Sequence, residues 1–155
     1  MSTRSCGVAL GALLLFCCVL GSSACGVGER QSGLPSGAQA AIDDITNDIA
    51  RADYEKIYRD AAEEWRQTAQ PDESRASLER VRERLGSVLS RAQLGAQQRE
   101  SSGGGDAGTP QGRTLVVSYN TKFERADAIE TFTLVERSGR WLLARYAVNS
   151  NALKQ

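Results

Sequence analysis

Histidine is absent from all 155 residues, which removes the most frequent general base and metal ligand. Ser-His-Asp and Cys-His catalysis are therefore excluded, as are zinc sites built on imidazole. Carboxylates remain for acid–base work, and the best-placed are Glu130 and Glu136, on a predicted strand that can lean either one inward. Both are expected to face water beside Arg137 and Arg140, so no catalytic residue is assigned. Asp43, Asp44 and Asp48 crowd one short segment. Their helical spacing lacks the loop that wraps oxygens around a hard cation, so a solvated helix face is expected, with no metal and no cofactor. Arg84 and Arg91 flank Gly86, and two readings stand for them. They bind an anion at the end of the sheet, or they pair with Glu79, Glu83 or Glu130.

The aromatic residues are the other source of recognition chemistry. Tyr54, Tyr58, Trp65, Tyr119, Trp141 and Tyr146, with Phe123 and Phe132, recur along the elements that must build the core. Around a hollow interior, their hydroxyls and indole N–H groups would be polar handles in an apolar pocket for a small ligand. The expectation is that they fill the core instead.

Cys25 is the one residue expected to carry covalent chemistry. Arg4 and the α-amino group precede an uncharged stretch from Cys6 to Leu20, and Gly21 to Ala24 are small. This order of charge, apolar run and small residues is that of a cleavable export signal over residues 1–24. The apolar run is shorter than the roughly 20 residues that span a bilayer. Ser22 and Ala24 fit ordinary signal-peptidase cleavage, while a small residue directly before Cys25 resembles a bacterial lipobox. Lipoboxes usually carry Leu three residues before the cysteine; here that position is Ser22, with Leu20 two residues further back. A lipidated Cys25 is expected, because a lone exposed thiol is a liability in an oxidising compartment. The alternative is a freely secreted protein. Cys6, Cys17 and Cys18 leave with the signal, so the remaining domain has no internal disulfide and must rest on an apolar core. The protein is thus expected at a bacterial membrane, facing the periplasm or the cell exterior.

Removing residues 1–25 takes away Arg4 alone, leaving a net charge of −1. That balance offers no electrostatic footprint for nucleic acid. Residues 25–37 read as the lipidated cysteine and a Gly/Ser-rich tether, 38–149 as a single domain, and 150–155 as a polar tail. Ile42, Ile45 and Ile49 share a helical face. Asp53 can cap a second helix carrying Tyr54, Ile57, Tyr58, Ala61, Ala62 and Trp65, unless the two are one long bent helix. Pro71, Asp72 and Glu73 open a third, with Leu78, Val81 and Leu85 buried, and Gly86 stops it.

Beyond Gly86 the period becomes two. Val88, Ser90, Ala92 and Leu94 alternate with Leu89, Arg91 and Gln93, and a Gly/Ser-rich loop runs from Ser101 to Gly112. The next strand places Leu115, Val117, Tyr119, Thr121 and Phe123 on one side. A turn at Glu124–Asp127, a strand from about Ala128 to Arg137, a Ser138-Gly139 hairpin and a strand from Trp141 to Val148 follow. About three helices and then four antiparallel strands make an α+β domain.

Three stretches, Arg84–Arg91 (RLGSVLSR), Val117–Phe123 (VSYNTKF) and Glu130–Glu136 (ETFTLVE), the last leading to Trp141 and Tyr146, carry a resemblance. Across roughly Ala38 to Val148 the chain resembles the small exported bacterial proteins grouped as domain-of-unknown-function 4019. Where that family often has glycine before the final tyrosine, this chain has Arg145. The resemblance implies no activity. It implies a cone-like fold similar to the nuclear-transport-factor-2-like superfamily, in which a curved four-stranded sheet wraps a helix, and that fold does not decide function. The expected function is that of a non-enzymatic envelope lipoprotein held at the membrane by lipid on Cys25, with a domain that binds a protein, such as an envelope protein, or another envelope component. A small-ligand carrier using the cone interior is the alternative, and a carboxylate-only enzyme the third.

Overall fold

The computed structural model describes residues 33–101 and 112–154. The export signal, Cys25, most of the tether and residues 102–111 of the Gly/Ser-rich loop lie outside them. Four helices, α1 (Ala38–Arg51), α2 (Tyr54–Asp60), α3 (Glu63–Thr68) and α4 (Pro71–Leu85), precede β1 (Val88–Ser101), β2 (Gly112–Phe123), β3 (Asp127–Arg137) and β4 (Arg140–Asn149). The strands form one antiparallel sheet in the order β1-β2-β3-β4, which is the α+β architecture expected.

Local chemistry accounts for most helix boundaries. The Asp53 carboxylate accepts from the Lys56 backbone N–H at 3.3 Å and starts α2. Pro71 is the first residue of α4 and Gln70 its cap, with the Glu73 carboxylate accepting the Gln70 N–H at 3.0 Å. This reciprocal arrangement satisfies donors that a helix start leaves orphaned. Sequence periodicity joins Tyr54 to Trp65 in one helix, but the chain breaks it at Ala61 and Ala62, both extended. The Ala62 N–H donates to the Leu143 carbonyl at 2.9 Å, and Ala62 packs with Val135 and Ala144. Docking on the sheet edge has overridden helical propensity.

One face of the sheet carries the core. Leu115, Val117 and Tyr119 of β2, Phe132 and Leu134 of β3, and Trp141 and Leu143 of β4 meet Ile42, Tyr54, Ile57, Trp65 and Leu78 of the helices. Phe132 is wholly buried, worth about 1.5–3 kcal/mol in removed apolar surface. The turn joining β3 to β4 is the expected two-residue one, with Ser138 and Gly139 both at positive φ.

Bulges change which side chains face the helices. In β1 the pairing shifts between Val88 and Ser90 and again between Gln93 and Gly95, so Leu89 and Leu94 are the extra residues. Both are exposed, at 63% and 59%. Strict alternation puts Val88, Ser90, Ala92 and Leu94 together. With Leu89 bulged, Val88 and Arg91 instead oppose Phe123 and Thr121, which face the core. In β4 the extra residue is Ala144, and beyond it Tyr146 opposes Phe132. A bulge re-aims the side chains that follow it; these two deliver Arg91 and Tyr146 to the inner face.

Both ends of the domain are more firmly attached than composition suggests. Leu34 packs against the core and the Ser36 carbonyl accepts from Trp141 Nε1 at 3.2 Å, so the last tether residues are docked. In the polar tail, Ser150 caps a 3-10 turn over Asn151–Leu153. Ala152 and Leu153 pack on the cluster of Leu85, Phe123 and Ala128.

Candidate functional site

A polar row crosses the inner face of the sheet, with one residue from each strand. Its centre is Glu130 of β3, 0% exposed, although sequence reasoning places this carboxylate in water. Arg91 of β1 donates from Nε to Oε2 at 2.6 Å and from Nη2 to Oε1 at 3.2 Å. The Thr121 hydroxyl of β2 donates to Oε2 at 2.5 Å, and the Tyr146 hydroxyl of β4 donates to Oε1 at 2.6 Å. Of the two readings for Arg91, pairing with Glu130 is thus realised; Arg84 is exposed.

Four donors occupy the roughly four acceptor positions of a carboxylate. Glu130 has no lone pair left with which to take a proton from a substrate. Burial, then the Glu130 charge and the hydrogen bond to it, hold the Tyr146 hydroxyl well above the ordinary tyrosine range. It therefore stays a proton donor to Glu130 at neutral pH.

Arg91 and Tyr146 of this row line a cleft of about 220 Å³ at one end of the sheet. Ile49, Leu78, Val81, Val88 and Phe123 supply apolar walls, and Thr46, Asn47, Arg82, Arg91 and Tyr146 supply polar groups. Arg82 donates from Nη1 to the carbonyls of Ile49 and Ala50, at 3.3 and 2.8 Å. It thereby ties the last turn of α1 to α4, where the helix dipole favours a cation.

The six aromatic residues named from sequence do not surround one hollow. Tyr54, Trp65, Tyr119 and Trp141 are buried in the core. Trp65 Nε1 donates to Ser74 Oγ at 2.9 Å and the Tyr58 hydroxyl to the Ala69 carbonyl at 3.2 Å. The hydroxyls of Tyr54 and Tyr119 are buried without a hydrogen bond, and burial raises the Tyr119 hydroxyl above its ordinary value. The Tyr119, Phe132 and Tyr146 rings follow one another across three strands, with centroids 5.8 and 5.0 Å apart. Of the six, Tyr146 alone lines the cleft beside Arg91.

The other carboxylates have structural partners. Asp43 and Asp44 are exposed, but Asp48, expected on the wet side, is buried and takes Lys56 Nζ at 2.5 Å. That bond is the main reason the Lys56 ammonium is held above its usual range. Glu136 is half-buried, 2.7 Å from Arg113 Nη1, and Arg113 in turn stacks over Trp141. Arg137 reaches Glu64. Among the described residues no cluster of three or more acidic or cysteine ligands could hold a metal, and no helix is long and apolar enough to cross a membrane.

The inward turn of Arg91 and Tyr146 is invisible to alternation, because it depends on bulges. One signal was available for Glu130, since it lies in phase with Phe132 and Leu134 on β3. A family model described as protein of unknown function (DUF4019) matches residues 41–146. No curated protein matches the chain.

Proposed function

The chain belongs to this DUF4019 family, and from that premise we propose that it is a lipid-anchored envelope protein whose domain binds rather than catalyses. One observation carries the binding part of this reading. The buried carboxylate best placed for acid–base chemistry is saturated by Arg91, Thr121 and Tyr146. It therefore serves to hold Arg91 in place at the cleft. A carrier using the domain interior finds that space filled by Tyr119, Phe132, Leu134 and Trp65, so binding belongs at the cleft or on the surface.

The anchor rests on Cys25 and the small residues before it. Buried acyl chains add about 0.8 kcal/mol per CH₂, and stable anchoring takes more than one chain. The test is the intact mass of the protein extracted gently from its own membranes. A chain beginning at Cys25 and carrying acyl groups supports the reading, and Cys25→Ser should then leave the membrane fraction. A chain beginning at Cys25 with no acyl group would sink the anchor and make this a freely secreted domain.

A further inference from the structure

We propose that the cleft beside Arg91 is a binding site for a small organic carboxylate with an apolar body, with Arg91 as the group that takes the carboxylate. The assignment rests on the binding reading above and names the ligand class of that site.

The guanidinium has five N–H donors in a rigid planar fork. Glu130 engages the edge formed by Nε and Nη2. This leaves the opposite edge, where Nη1 and Nη2 present two parallel N–H groups, the geometry that pairs with a second planar carboxylate. Arg91 lines the cleft with its side chain 21% exposed, so that edge is within reach of a ligand while the stem is held. The buried pair with Glu130 removes most of the guanidinium's rotamer freedom in advance, and an ordered donor loses less entropy on binding.

The surroundings define the rest of the ligand. Arg82 is the second charged residue of the lining, and no carboxylate belongs to it. Behind the lining, Glu130 is saturated by its own donors, and Glu124, outside the lining, accepts the Ser87 N–H at 3.0 Å. Ile49, Leu78, Val81, Val88 and Phe123 provide an apolar floor. Since a cavity of about 150 Å³ accepts benzene, the 220 Å³ here suits a ligand of about ten heavy atoms. A ring or short branched chain would lie against Val81 and Phe123 with its carboxylate at Arg91.

The test uses the whole protein as isolated from its host, with phenylacetate as probe and 2-phenylethanol as its neutral counterpart. Proton NMR of the probe reports binding through line broadening and chemical conversion through new resonances. Charge-assisted pairing predicts that phenylacetate binds about ten- to a hundredfold more tightly than the alcohol. Arg91→Lys keeps the charge and loses the planar edge, and should abolish most of that preference. Ala50→Phe, at an exposed position of α1 on the cleft rim, should weaken both probes about tenfold or more while leaving the unfolding midpoint unchanged. Equal affinity for acid and alcohol, a preference that survives Arg91→Lys, or binding unaffected by Ala50→Phe in folded protein overturns the assignment and leaves the binding reading standing. Conversion of phenylacetate to a product overturns both.

Discussion

Arg91 and Glu130, 39 residues apart, meet edge to edge inside the sheet through two hydrogen bonds of 2.6 and 3.2 Å. Removing Arg91 strands a fully buried carboxylate and removing Glu130 strands a largely buried guanidinium, whereas removing both leaves apolar surface that the core can accept. Glu130→Leu and Arg91→Leu should therefore each cost about 3–5 kcal/mol, and the double variant markedly less than their sum. Urea unfolding of the four proteins measures this directly. Additive losses would show that the two side chains do not act as a pair.

Tyr146 gives the domain an alkaline limit. Its hydroxyl is neutral and donates to Glu130, with its pKa held well above the tyrosine value of 10.0. A group raised in this way contributes stability that is complete below its unfolded pKa and is lost as pH rises through the folded one. The unfolding free energy should thus fall above about pH 10. Tyr146→Phe should cost about 1.5–3 kcal/mol at pH 7 and flatten this alkaline fall. Burial of Tyr119 leaves a smaller limb of the same sign. An unchanged alkaline limb in the phenylalanine variant would mean that Tyr146 is not its source.

Gly86 joins α4 to β1 at φ 81°, ψ −161°, a region open essentially to glycine alone. A Cβ there would lie 2.5 Å from Glu124 Oε2 and 2.9 Å from Glu124 Cβ. Gly86→Ala should lower stability by at least about 2 kcal/mol, read as a drop in Tm. Adding Glu124→Ala removes the carboxylate contact but keeps the Cβ at 2.9 Å and loses the Ser87 acceptor, so it should restore little of the loss. Full restoration would mean that backbone strain contributes nothing.

Glu124 itself is held below the ordinary carboxylate range, chiefly by the Ser87 N–H. Its contribution is present above the unfolded pKa and lost as pH falls through the folded value. The stability gap between the natural protein and Glu124→Gln should therefore close in acid, measured by urea unfolding between pH 7 and pH 3. A gap independent of pH would point to lost packing.

Ser138 occupies a left-handed conformation in the β3–β4 turn at φ 51°, where asparagine is better tolerated than serine. Ser138→Asn should raise stability by about 0.5–1 kcal/mol. A lower Tm would argue that the hydroxyl has a role in the turn.

The elements with strong local signals were legible from sequence. Asp53, Pro71, Glu73 and Gly86 mark helix ends, Leu115 to Phe123 alternates without interruption, and Ser138-Gly139 turns the chain. The break at Ala61 was not legible, because it follows from a hydrogen bond to Leu143 on a strand some eighty residues later. The candidate site was legible only in pieces. Glu130 and Arg91 stood among the possible partners, but the depth of Arg91 depends on an extra residue at Leu89, and that of Tyr146 on one at Ala144. Nothing in residue type announces a bulge at either place.

On the face of β3 opposite the core lie Ile129, Thr131 and Thr133, and Val135, in phase with them, is buried beside Ala62 and Ala144. They are almost as suited to a sheet interior as Ala128, Glu130, Phe132 and Leu134, which face the core. A slip of one residue would exchange the two sets, and apolar burial alone discriminates weakly between these alignments. The slipped strand, however, would turn Glu130 to solvent and leave the guanidinium of Arg91 and the hydroxyls of Thr121 and Tyr146 without their acceptor. A charge that adds little net stability thus acts as a key, fitting one strand register and rejecting its neighbours.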